Sequence, residues 1–210
     1  MISECKDSNL PYKRRIINKK ECLFDNKESL KDIFRIVNQA IKNFNHRLSE
    51  VPLQLRVRTF EAVTLLQEIV IALSDEFSEN CKFAKYKRFV LRLNGYQFLI
   101  KKLDKNNMPM NIKTKNCTFI NNQVMGSLFN DDPDYHNAVE PLLYIGYKKS
   151  KFGVIGDLSV VYIDENKLQW TISEKDLNVT NNIESDQYEQ SNVRIQPKVK
   201  QNKDSQRRAN

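Results

Sequence analysis

The spacing of apolar residues changes period near Tyr86, and this change limits the possible folds more than any other feature of the chain. Before it, apolar residues recur every three or four positions; after it they alternate. A period of 3.6 lays one apolar stripe along a helix, and a period of two gives a strand one apolar face. The expectation is an α+β chain in which an N-terminal helical hairpin packs on a twisted, mostly antiparallel sheet of about five strands.

In the first half, Asp25 and Glu28 stand three apart, as in a capping box, ahead of Leu30, Ile33, Phe34, Val37, Ile41, Phe44 and Leu48. That stripe predicts a first helix. Ser49 and Pro52 open a second, with Phe60, Val63, Leu66, Val70, Leu73 and Phe77 on one face and Ala62, Leu65, Ile69 and Ala72 flanking it. The short joint predicts a helical hairpin over residues 25–80. Residues 1–24, with the basic cluster Lys13, Arg14, Arg15, Lys19 and Lys20, read as an irregular arm.

In the second half, Phe89, Leu91 and Leu93 alternate with Arg88, Val90 and Arg92, and Asn94-Gly95 then supplies a two-residue hairpin turn. The turn sets the register, with Leu93 facing Tyr96, Leu91 facing Phe98 and Phe89 facing Ile100. A loop around Met108-Pro109-Met110 leads to a short helical segment through Ile120, Val124 and Leu128, which ends at the acidic turn Asp131-Asp132-Pro133-Asp134. Leu142 to Tyr147 is apolar on both parities and reads as a central strand. Leu158–Ile163 and Leu168–Ile172 flank the turn Asp164-Glu165-Asn166-Lys167 as a second hairpin. The folded domain is expected over 25–173, with its sheet half at 86–173. Residues 174–210 are too polar to offset their ordering entropy and are expected to be a disordered tail.

A net charge of +8 and a pI near 9.2 favour nucleic acid, an anionic membrane surface or an acidic protein as partner. Abundant Asn, Lys and Ile also fit an AT-rich genome, which supplies lysines without any partner. Cys5, Cys22, Cys81 and Cys117 show no CxxC spacing, and His46 and His136 lie near none of them. Reduced thiols of a cytoplasmic chain, with no metal, are the expectation. The first residues lack the apolar core of a signal peptide, and no apolar run approaches a membrane span. Walker, GxGxxG, GxSxG, HExxH and zinc-finger patterns are missing, so no cofactor is expected and nucleotide-cofactor or hydrolase chemistry is disfavoured.

The hairpin register sets Lys87 opposite Lys102 and Arg88 opposite Lys101, with Lys85 beyond. Like charges facing across a ladder are unfavourable. A solvated sheet end tolerates them at about a few tenths of a kcal/mol per pair, whereas a phosphate or carboxylate partner turns them to advantage. Asn111, Lys113 and Thr114 in the following loop extend this candidate nucleic-acid or anion surface. The tail cations Lys198, Lys200, Lys203, Arg207 and Arg208 could add weak, salt-sensitive affinity.

Lys101-Lys102-Leu103, Asn111-Ile112-Lys113-Thr114, Gln123, Gly146-Tyr147 and Trp170 together resemble a pattern found in small uncharacterised bacterial proteins. The resemblance covers roughly residues 86–172. It implies a setting in mobile elements and toxin–antitoxin or phage-defence loci, with a cognate antitoxin among the possible partners. Gln123 through Phe129 also resembles the Q-L-S-L-F type peptide by which bacterial proteins engage the replication sliding clamp. Ser127, Leu128 and Phe129 match its last three positions, while Met125 and Gly126 stand where glutamine and leucine belong, and Gln123 is two residues early. The alternative for these residues is a helix end packed in the core.

Two catalytic arrangements complete the candidates. His136, with Asp134, Tyr135 and Glu140 nearby, could serve metal-independent acid–base cleavage of RNA, or could simply belong to a polar loop. Glu165-Asn166-Lys167, near Asp157 and Asp164, matches the acidic-x-Lys of a metal nuclease but falls in a turn, where surface composition is the better explanation. His46 reads as a surface residue near a helix end.

Overall fold

The two periods resolve into two long helices and a six-stranded sheet in a computed structural model, which describes residues 13–57, 59–125, 139–150 and 153–179. In chain order the elements are α1 (Lys19–Glu50), α2 (Phe60–Glu76), β1 (Cys81–Ala84), β2 (Arg88–Leu93), β3 (Tyr96–Lys102), α3 (Lys115–Asn121), β4 (Leu142–Lys149), β5 (Ile155–Asp164), β6 (Lys167–Ser173) and α4 (Glu174–Val179). The strands lie in the order β1-β2-β3-β4-β5-β6, antiparallel except for the parallel pair β3–β4. The fold is α+β as expected, with six strands in place of five.

The first helix begins earlier than the capping-box pair. Asn18 caps it by accepting the Glu21 amide at 2.8 Å, and nothing between Asn18 and Asp25 breaks a helix. Asp25 instead accepts the Tyr96 hydroxyl at 2.6 Å. The stripe from Leu30 to Phe44 is buried as predicted, extended at its start by Cys22. On α2 the buried face is Leu65, Ile69 and Leu73, with Glu68 paired to Arg47 at 2.5 Å, while Val63 and Leu66 are exposed. Apolar residues surround this helix, so the pattern allowed two stripes, and the spacing i, i+4, i+8 is the one that packs.

The expected arm is also tied down in part. Arg14 N–H donates to Gln123 O at 2.7 Å, Arg15 N–H donates to Val139 O at 2.8 Å, and Lys13 pairs with Asp164 at 3.1 Å. At the other end, residues 174–179 form α4 rather than the start of a tail. Leu177 enters the core, and Asp176 accepts the Ser173 amide at 2.7 Å and Lys19 at 2.9 Å. Residues 180–210 lie outside the described residues, as do 1–12.

Both hairpin turns form. Asn94 (φ 49) and Gly95 (φ 77) take the left-handed conformation, and so do Glu165 (φ 52) and Asn166 (φ 55). Leu93 pairs with Tyr96 and Leu91 with Phe98. The ladder runs no further; on their other edges β2 pairs with β1, a strand that was not expected, and β3 pairs with β4 from Gln97 to Lys102.

One sheet face, with Phe89, Leu91, Phe98, Ile145, Val160 and Tyr162, meets α1 and α2. The other, with Val90, Leu99, Leu103, Tyr144, Val161 and Ile163, packs with Ile120 of α3. Burial of each such side chain stabilises the fold by about 1.5–3 kcal/mol, and cover on both faces explains why β4 reads as apolar on both parities. α3 stops at Asn121, and Gln123 (φ 54) turns the chain away before Val124, so Val124 is not helical. Leu128 and the turn at 131–134 are outside the described residues.

Candidate anion-binding surface

Because β3 and β4 run parallel, their C-terminal ends meet at one end of the sheet, where β2 and β5 begin. This brings Lys101 and Lys102 of β3 together with Lys148 and Lys149 of β4, beside Arg88 of β2. Lys102, Lys105, Lys148 and Lys149 line an open groove of about 590 Å³, with exposed Met110 and Val154 as its apolar wall. Two carboxylates, Asp104 and Asp157, also line it. Asp104 Oδ1 is engaged in holding its own loop, accepting the amides of Asn106 and Met108 at 2.8 and 2.9 Å. Lys149 is paired with Glu61 of α2.

Lys101 points to the opposite face. Burial, and next the charge of Arg88, hold its ammonium below the usual lysine range, with Cys117 opposing. Arg88 and Lys101 are thus close, as the sequence suggested, but not as ladder partners. The expected Lys87–Lys102 and Arg88–Lys101 oppositions do not form, since pairing between β2 and β3 ends at Leu91–Phe98. Lys87 stands in the turn Lys85–Lys87, exposed, with φ 58.

Several cations elsewhere sit on carboxylates, as in Arg15–Glu21, Lys19–Asp176, Lys31–Glu28, Arg35–Asp32 and Arg47–Glu68, while others such as Lys20, Lys42 and Lys175 form no ion pair with a described residue. Arg88, Lys101, Lys102, Lys105 and Lys148 form no ion pair with a described residue. Clustered cations that outnumber the nearby carboxylates, here Asp104 and Asp157, raise the local potential and draw in anions.

The loop after β3 folds back on this end, with Met110 N–H donating to Lys102 O at 2.9 Å. Asn111 follows, half-buried; Lys113 is exposed but outside the groove lining. Thr114 has a structural duty, since its Oγ1 accepts the Cys117 amide at 3.2 Å and caps α3.

The remaining candidates are not assembled into a site. Gln123 is buried among backbone groups of β4 and β5, so its amide is not presented to a partner. Ser127, Leu128, Phe129 and His136 lie outside the described residues. Glu140 accepts Arg92 Nε at 2.6 Å and Gln97 Nε2 at 3.0 Å, while buried Arg14 donates to its carbonyl at 2.9 Å. Burial brings the Arg14 pKa down to about 10 against the pull of Glu140. With its oxygens taken, Glu140 serves an internal ion-pair network. Glu165-Asn166-Lys167 is the β5–β6 turn, where Glu165 and Asp164 both approach Lys13. Among the described residues no group of three His, Cys, Asp or Glu is placed to hold a metal, and no helix is long and apolar enough to cross a membrane.

Sequence reasoning missed Lys105, Lys148 and Lys149. A lysine pair after a buried strand is ordinary, and only the parallel relation of β3 to β4 carries it to Lys102. No protein-family model, curated protein or solved structure matches the chain.

Proposed function

We propose that the protein binds a polyanionic macromolecule, nucleic acid foremost, through the basic end of its sheet. The role is that of an effector or accessory protein of the mobile-element or toxin–antitoxin kind that its sequence pattern resembles. The observation that supports this reading is the gathering at one sheet end of Arg88, Lys101, Lys102, Lys105 and Lys148, none of which forms an ion pair with a described residue. An acidic protein surface would answer the same charges, but a phosphate backbone supplies them at regular spacing and makes the affinity steeply salt-dependent.

The test is charge reversal of Lys101 and Lys102 to Glu. A Glu at 101 would meet Arg88, so the fold tolerates it. Affinity for a labelled nucleic acid should fall more than tenfold, and the slope of log K against log salt should shrink by about 0.7–0.9 for each phosphate that the variant no longer neutralises. A folded variant that binds like the parent at every salt concentration refutes the reading.

A further inference from the structure

The charged residues of α2 gather on one side of the helix. They are Glu61, Glu68, Asp75 and Glu76; Glu68 pairs with Arg47 and Glu76 with Arg35, both on α1, and Glu61 pairs with Lys149. Leu66 and Val70 each stand two residues from Glu68, about 200° round the helix, and Val63 lies on the same stripe. Val63 is 63% exposed and Leu66 43%, in a chain of which 29% is charged residues. This neutral flank faces away from α1. α1 lies toward β5, β6 and α4, whereas α2 leads straight into β1, where Cys81 Sγ donates to Leu73 O at 3.7 Å. The flank therefore stands over the β1 side of the sheet. β1 is an edge strand, paired among the described residues with β2 alone. Its register sets Phe83 opposite Phe89, hence on the helix side, and Phe83 is 59% exposed. Single exposed apolar residues need no explanation. An apolar ring and an uncharged helix flank on the same side of one open edge do.

We infer that this edge is the two-fold interface of a homodimer, with β1 pairing antiparallel to β1 of a second copy and the α2 flanks meeting above the joined strands. An isologous contact needs a surface that complements itself. Two identical antiparallel strands provide one: with Phe83 opposite its own counterpart, the rings meet on the helix side and Lys82 faces Ala84 on the other. Charge selects the same partner. Chains of net charge +8 repel one another, so they approach at least cost where neither carries charge, and a polyanion or an acidic protein gains nothing from a neutral flank. The pairing also keeps the basic ends apart. β1 runs in the same direction as β3, so reversing the second strand sends the second copy's Lys102 and Lys148 to the far end of the joined sheet. The dimer does not depend on the polyanion reading.

Sedimentation equilibrium of the full chain tests the interface. The weight-average mass should rise from the 24.7 kDa of one chain toward twice that value, and no further, as concentration goes from about 1 to about 200 μM. Salt screens the repulsion between copies, so association at about 0.5 M salt should equal or exceed that at about 0.05 M, the reverse of polyanion binding. Val63→Glu and Phe83→Lys each set a charge near its own counterpart and should weaken association at least about tenfold. Both positions are exposed, so the melting temperature at low concentration should not change. If Phe83→Lys does not fold, Val63→Glu decides. Charge reversal at Lys101 and Lys102 should leave the dimer intact, so the two readings fail separately. A chain that stays monomeric over the whole range, association that continues past the dimer, a dimer that dissolves at high salt, or one that survives the substitutions overturns the interface.

Discussion

Replacing Gln123 by Ala should unfold much of what holds the second half of the chain together. The Gln123 carboxamide is fully buried; Nε2 donates to Leu142 O at 2.9 Å and to Ile163 O at 2.7 Å, and Oε1 accepts the Leu142 amide at 3.0 Å. One side chain thus fastens the start of β4 to the end of β5, just after α3. Alanine leaves an amide and two carbonyls of the interior without that partner. Each broken bond costs about 1 kcal/mol net, and a stranded buried group costs about 1–3 kcal/mol. The sum is about 3–5 kcal/mol, a large share of the roughly 5–15 kcal/mol that stabilises an ordinary domain. Urea denaturation followed by fluorescence of Trp170, the single tryptophan, which stacks on Tyr162 of β5 at 5.2 Å, reads this directly. With a urea slope of about 1–3 kcal/mol per molar, the midpoint should fall by about 2 M. A Gln123→Ala variant with an unchanged midpoint that loses only the binding of a partner would refute the structural role and return Gln123 to a partner surface.

Two further outcomes follow from packing and charge. A Cβ added at Gly146 would lie 2.5 Å from Leu103 Cγ and closer still to Cδ1, so Gly146→Ala should cost about 1–3 kcal/mol by overpacking. The double variant with Leu103→Ala should show a smaller combined loss in denaturation than the two single losses added. For Asp176, burial would raise the carboxyl, but hydrogen bonds from Lys19 and from the Ser173 amide and hydroxyl outweigh it, and the net shift is below the ordinary carboxylate range. A lowered folded value stabilises the protein above the unfolded pKa of about 4 and loses that contribution as pH falls through the folded one. The gap in melting temperature between wild type and Asp176→Asn should therefore be present near neutrality and close as pH drops below about 4; a gap independent of pH would contradict this.

What could be read from the chain, and what could not, divides along physical lines. The α1 stripe and both hairpin turns carry local signals, a 3.6 period and residues suited to positive φ, and these survive in the structure. β1 is only four residues long and exposed on its middle positions, so it leaves little alternation to find. α4 is a short polar helix held mainly by Leu177 and Asp176, which composition alone cannot distinguish from a tail. The scattered pattern from Lys101 to Trp170 consists largely of packing residues. Leu103 lies over Gly146 and donates its amide to Tyr147 O at 2.8 Å, Thr114 caps α3, Gln123 ties two strands together, and Trp170 donates to Ile17 O at 3.2 Å. Such a pattern describes a fold and leaves the chemistry unstated. Of the candidate surface, Arg88, Lys101 and Lys102 were legible only through an incorrect geometry, a hairpin ladder, and Lys105, Lys148 and Lys149 were not legible at all. They meet because a parallel pair shares an end, and pairing across that distance in sequence has no local signature.

The parallel seam also has consequences for how the molecule opens and closes. β1–β3 and β4–β6 are each meanders of chain neighbours, able to zip up from their own tight turns on microsecond timescales. Joining them requires closing the whole connection from Leu103 to Pro141, a non-local step that comes later and at greater entropic cost. In native-state hydrogen exchange the two meanders should behave as separate cooperative units, with the seam opening at lower free energy than either. Lys101 and Lys102 belong to one unit, and Lys148 and Lys149 to the other. A polyanion laid across that end would bridge both, favour the closed seam by mass action and raise the stability of the whole sheet with ligand concentration.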